Sequence, residues 1–290
     1  MTSAALFQAT RAYSAPASIV PVLLGTALAA RGYANGGHGH FNLSAFVLVL
    51  VGAILAHFGA NVLNDYFDFV NGVDTKPEHG SGILTQNLMT PSQALGFGLT
   101  LLGGAAVCGL LLLRNHASVV VPLALIGLGC AVLYPAFLKR YALGDFLIIL
   151  AFGLGLTLGA YGVQNALTPP QWFSIALYAV PVSLLVDGIL HANNLRDAPD
   201  DRAARVLTLA TLLPPRLGLV LLQVLLFGPL LFVVVGVLVR FLPVWSLAAL
   251  LSALLLAKAY KTINVPLTAQ AHLIFGVLYT VSLLVKPLFV

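Results

Sequence analysis

Two groups of acidic and amide residues stand out as able to hold a metal ion together with the phosphates of a substrate. The first is Asn61, Asn64, Asp65 and Asp68, followed by Asp74 and Glu78. The second is Asp187, Asn193, Asn194, Asp197, Asp200 and Asp201. Together they hold eight of the nine acidic residues; the ninth, Asp145, heads another apolar run. Within each group the residues recur at three or four positions, which on a helix places them on one face. Carboxylate and amide oxygens are hard ligands of the kind magnesium takes, in ones and twos, when substrate phosphates complete its shell.

The elements that must position these groups are membrane helices. The chain has 290 residues, 60% hydrophobic and only 8% charged, with a mean hydropathy of +0.99. A water-facing surface needs roughly 25% charged residues, and apolar runs of roughly 20 residues, enough to cross a bilayer, recur from end to end. Their limits predict nine helices, at approximately 14–31, 43–68, 92–113, 117–137, 143–163, 171–196, 215–239, 242–260 and 269–288. The expected fold class is therefore all-α, a polytopic membrane protein forming one domain over 1–290. The stretch from Ala15 to Ala30 reads as an uncleaved first helix rather than a signal peptide, because many spans follow it. Gly155 and Gly159 fit close helix packing.

With nine spans the 14 Lys and Arg residues divide ten to four between the two faces, which puts the N-terminus and both acidic groups in the cytoplasm. Cations spread over short loops do not form a nucleic-acid surface. Cys108 and Cys130 lie inside apolar runs without metal-ligand spacing. Acids crowded at helix C-termini oppose the helix dipole, so their clustering calls for a bound cation. Acids near the bilayer midplane would instead suit a cation-coupled transporter, the alternative from another class.

Asn64-Asp65-Tyr66-Phe67-Asp68 with Asp74 resembles the first aspartate motif of the UbiA superfamily of intramembrane prenyltransferases. His191-Ala192-Asn193-Asn194-Leu195-Arg196-Asp197 with Asp201 resembles the second. The likeness is greatest to the 1,4-dihydroxy-2-naphthoate polyprenyltransferases of the menaquinone and vitamin K branch, where five residues separate the second and third aspartates, as Phe69 to Val73 do here. Arg11, the run Ser14 to Gly25, Tyr141 to Asp145, and the segment Asn264 to Gly276 extend the resemblance along the chain. One departure stands out: Arg205-Val206 occupies the place of a usual Gly-Lys, leaving Arg205 or Arg202 for any phosphate contact there.

The resemblance implies nine helices around a central cavity, open sideways to lipid. It implies magnesium held by Asp65, Asp68, Asp197 and Asp201 as the catalytic acids, a polyprenyl diphosphate donor and an aromatic acceptor. The expected reaction is prenylation of 1,4-dihydroxy-2-naphthoate with loss of carbon dioxide, in a bacterial inner membrane. Another acceptor, such as 4-hydroxybenzoate or homogentisate, is the alternative within the superfamily. Substrate contacts are expected from Asn61, Asn64, Asp74, Lys76, Tyr134, Lys139, Arg140, Asp145, Tyr161, His191, Asn193, Asn194, Arg196 and Arg202. Tyr134 and Tyr161 would face the cavity or pack beside it. Gly80-Ser81-Gly82 would let a cytoplasmic loop close over the diphosphate.

Overall fold

A computed structural model describes the chain except residues 1, 35, 74–75, 77–79, 131–140, 167 and 286–290. A short helix, α1 (Ser3–Ala9), capped by Thr2, precedes α2 (Pro16–Arg31). Next come α3 (Leu43–Val70), α4 (Pro91–Leu128), and a bent segment of α5 (Gly144–Ile148), a π-helical stretch Ile149–Gly155 and α6 (Leu156–Gly162). Then follow α7 (Pro169–Ala203), the single turn α8 (Leu209–Leu212), α9 (Pro215–Leu238), a 3-10 stretch Val244–Ser252 leading into α10 (Ala253–Thr262), and α11 (Val265–Leu284).

Among the described residues eight stretches are long and apolar enough to cross a membrane. The third of them folds back on itself. At 1.5 Å per residue a straight helix over α4's 38 residues would run about 57 Å, nearly twice the hydrocarbon core. Instead His116 leaves helical geometry, with φ −135° and ψ 30°. The chain doubles back there, so that a Cβ on Gly109 would touch Val120 at 4.0 Å. The two arms match the separate helices expected at 92–113 and 117–137; residues 131–137 of the second lie outside the described residues.

Two boundaries shift from expectation and one short helix is added. Helix α7 runs on past Arg196 to Ala203, so Asp197, Asp200 and Asp201 ride on the helix itself. Helix α11 begins at Val265 rather than 269, because the Asn264 side chain accepts the Leu267 N–H at 2.8 Å and caps it. The helix α1 was too short to show as a span.

Close packing depends on missing side chains. A Cβ on Gly25 of α2 would stand 2.1 Å from the Thr157 carbonyl of α6, and one on Gly276 of α11 would stand 2.1 Å from Val20. Leu123 fills the space beside Gly159 and Gly155. Tyr161, Phe275 and Tyr279 lie in the main core, while Leu238, Leu251 and Leu254 face outward, as lipid solvation permits.

Candidate active site

The C-terminal ends of α3 and α7 come together at a cleft of about 210 Å³. Asn61, Asn64 and Asp68 line it from α3; Asn193, Asn194, Asp197, Asp200 and Asp201 line it from α7. Its floor is apolar, with Leu147, Ile148 and Phe152 from the α5 segment and Leu190 from α7. The π-helical stretch adds a residue per turn where Phe152 meets the cleft, a distortion common at functional sites. The sequence thus brings together, on one cleft, seven of its expected site residues from two motifs 125 or more positions apart.

Asp65 is set differently. It is buried behind the cleft wall, with Oδ1 on the Arg11 guanidinium and Oδ2 on the Ser81 hydroxyl, which also places its backbone N–H 3.3 Å away. Gly80 and Gly82, at φ 60° and 75°, supply the left-handed turns that bring Ser81 inward, and Gln8 of α1 donates to the Ser81 carbonyl at 2.7 Å. Arg11 itself lines the cleft and has a left-handed backbone, φ 49°, unusual for a residue with a side chain. Sequence reasoning placed Arg11 only in a likeness of the first helix and among the cytoplasmic cations.

His57, also missed, joins this network. Ser14 Oγ donates to the Arg11 carbonyl at 2.8 Å, so its lone pairs face Asn61 Nδ2 at 3.3 Å and His57 Nε2 at 3.2 Å. The imidazole therefore carries its proton on Nε2, and Ser18 Oγ donates to Nδ1 at 2.9 Å. Asn61 also donates to the Thr10 carbonyl at 2.9 Å. The start of α2 is in this way tied to the acid-bearing face of α3.

On the other side, Lys76 reaches from its loop to Asp200 at 2.5 Å, and Arg196 grips Asp197. Asn64 donates to Asp68 Oδ2 at 2.9 Å. Asp145 and His191 are buried partners at 3.1 Å, behind the wall formed by their neighbours Gly144 and Leu190. Because His191 Nε2 faces the Gly218 carbonyl at 3.0 Å and must donate to it, the Asp145 contact requires a second proton, on the imidazole or on the carboxyl. Asp187, one turn earlier on α7, is buried as well.

Of the described residues expected to contact substrate, Lys76, Asp145, Tyr161, His191, Arg196 and Arg202 do not line the cleft. Arg202 turns away to donate to the Ala210 carbonyl at 2.8 Å. Tyr161 is fully buried in the main core at the opposite end of α6. Asp74, Tyr134, Lys139 and Arg140 lie outside the described residues.

Among the described residues no three His, Cys, Asp or Glu side chains converge into a complete metal centre. That is compatible with magnesium, which takes one or two carboxylates and completes its shell with phosphates and water. The donors that line the cleft, carboxylates and amides, are the oxygen set such an ion selects.

A polytopic helical bundle with two oxygen-rich helix ends over an apolar floor is a membrane enzyme site for a phosphorylated lipid. The chain matches the UbiA prenyltransferase family over residues 18–285 and belongs to that family. It is 32% identical to UbiA prenyltransferase domain-containing protein 1 of Xenopus tropicalis, covering 96% of this chain and 81% of the relative. The Drosophila melanogaster homolog is 34% identical over 94% of this chain and 77% of its own length.

Two solved structures share the fold. A UbiA homolog from Archaeoglobus fulgidus bound to GPP and Mg2+ superposes with a TM-score of 0.65 at 14% identity, covering 96% of this chain and 98% of the other. The apo UbiA homolog from Aeropyrum pernix K1 gives 0.67 at 17% identity, covering 93% and 95%. The chain is thus an integral membrane prenyltransferase whose donor is a prenyl diphosphate. The animal relatives lend nothing to the expectation of a bacterial membrane.

Proposed function

We propose that this enzyme transfers a polyprenyl group from its diphosphate to 1,4-dihydroxy-2-naphthoate, with loss of carbon dioxide, as a step in menaquinone synthesis. The observation that carries the reading is the single cleft in which Asp68 meets Asp197 and Asp201 over an apolar floor. Asp68, Asp197 and Asp201 would hold magnesium, which when bound neutralises charge on the departing diphosphate; Asp65, expected from sequence as a fourth ligand, is instead engaged behind the wall by Arg11 and Ser81.

The chain's own groups do the rest. Arg11, Lys76 and Arg196, with Lys139 and Arg140, offer the diphosphate its counter-charges, since guanidinium and ammonium pair well with phosphate oxygens. The allylic carbon–oxygen bond breaks, the acceptor ring carbon bonds to the freed allylic carbon, and the carboxylate on that ring carbon leaves as carbon dioxide. Leu147, Ile148, Phe152 and Leu190 keep water from the allylic cation. The five-residue gap between Asp68 and Asp74 and the run from His191 to Asp201 support the naphthoate rather than a single-ring acceptor. The ten-to-four cation split supports a cytoplasmic N-terminus and cleft.

Purified enzyme given one prenyl diphosphate and a panel of aromatic acceptors tests the reading. Prenylated naphthoquinol with released carbon dioxide is expected, with slow or no turnover of 4-hydroxybenzoate. Efficient prenylation of 4-hydroxybenzoate with its carboxylate kept, and none of the naphthoate, would move the enzyme to another acceptor.

A further inference from the structure

Arg196 directly precedes Asp197, and neighbours in sequence do not ordinarily face each other on a helix. Here the guanidinium curls back. Its Nε donates to Asp197 Oδ1 and its Nη2 to Oδ2, both at 2.7 Å, and Nη2 is also 3.0 Å from Asn193 Oδ1. Asn193 Nδ2 adds a third donor to Oδ2 at 3.2 Å. The carboxylate thus accepts a two-pronged, charge-assisted grip, the strongest form of such a contact. Asp197 lines the cleft and Arg196 does not.

A magnesium ion on Asp197 needs a carboxylate lone pair at about 2.0–2.1 Å. The guanidinium fork is aimed at those same lone pairs. Diphosphate oxygens match the fork as well as a carboxylate does, so the guanidinium can change partners without losing its geometry.

We propose that Arg196 and the divalent cation compete for Asp197, and that the diphosphate resolves the competition by accepting the guanidinium. Metal and prenyl diphosphate then reinforce each other at the second motif, each raising the other's affinity by the same factor. The proposal rests on the magnesium-dependent reading above, and it assigns Arg196 a role opposite in sign for the two ligands. It opposes the metal alone and assists the diphosphate.

The test is titration of manganese, a paramagnetic stand-in for magnesium, into the purified full chain without any phosphate, followed by electron paramagnetic resonance. Arg196→Gln should bind manganese about tenfold more tightly than the unaltered protein, the scale of one charge-assisted contact removed. Arg196→Lys, which keeps the charge but not the fork, should fall between them. Adding Asp197→Asn to Arg196→Gln should erase the gain, and both single variants should show a raised KM for the prenyl diphosphate. Unchanged or weaker manganese binding in Arg196→Gln, with saturable binding in the unaltered protein, overturns the competition and leaves the magnesium reading standing. Absence of saturable manganese binding in both the unaltered protein and Arg196→Gln also overturns the competition, whereas turnover that survives chelation overturns the magnesium reading itself.

Discussion

His191 Nδ1 lies 3.1 Å from Asp145 Oδ1 with both side chains buried, a polar contact that joins the head of α5 to the middle of α7 inside the bundle. Removing one partner strands the other away from water. Asp145→Leu and His191→Leu should each destabilise the protein by about 3 kcal/mol. The double variant should lose at least about 1 kcal/mol less than the sum of the two. Thermal unfolding in detergent across this double-mutant cycle measures the coupling.

Turnover should stop on chelation and return with magnesium. Asp68→Asn, Asp197→Asn and Asp201→Asn should each lower kcat by at least roughly 10²-fold, the effect of removing a group that stabilises developing charge. Steady-state kinetics in detergent or nanodiscs gives the values. Full activity in both Asp68→Asn and Asp197→Asn would exclude a mechanism using both motifs.

Arg11 reaches the cleft wall while paired with Asp65. Arg11→Gln should raise KM for the prenyl diphosphate about tenfold, as loss of a charged hydrogen bond would, with the KM for the aromatic acceptor nearly unchanged. Kinetics with each substrate varied separately distinguishes this from a general loss of fold, which would move both.

The reversal at His116 fixes which loops share a side. In a variant lacking Cys108 and Cys130, a cysteine at His116 should react with an impermeant maleimide added outside intact cells. A cysteine at Arg205 should react only after permeabilisation. Labelling of both from one side would contradict the doubled-back α4, whereas the opposite pattern would keep the reversal and invert the orientation.

The spans and the two acid groups were legible because both are local properties. An apolar run declares a span by its length, and Asn61, Asn64, Asp65 and Asp68 share a face by spacing alone. Arg11 and Ser81 were not assigned to the site, since their roles depend on contacts 54 and 16 positions away and on backbone turns that composition does not reveal. His57 sits in an apolar run, where its serine partners on α2 cannot be read from α3. The end of α7 was set too early because Pro199 and the surrounding charges resemble a stop signal, although the helix continues to Ala203. Tyr161 shows the converse: its place near a plausible cavity in sequence says nothing about which end of α6 it occupies.

The carriage of Asp197 and Asp201 on one helix from Pro169 to Ala203 makes their aim a matter of phase. One residue inserted between 182 and 190 would turn everything beyond it by about 100° and advance it by about 1.5 Å. Both carboxylates would swing off the cleft with every span still in place. The same insertion in the loop between α6 and α7 would leave them facing Asp68. Length variation along this chain therefore divides into stretches where a single residue resets the site's compass and stretches where it passes unnoticed, and the middle of α7 belongs to the first kind.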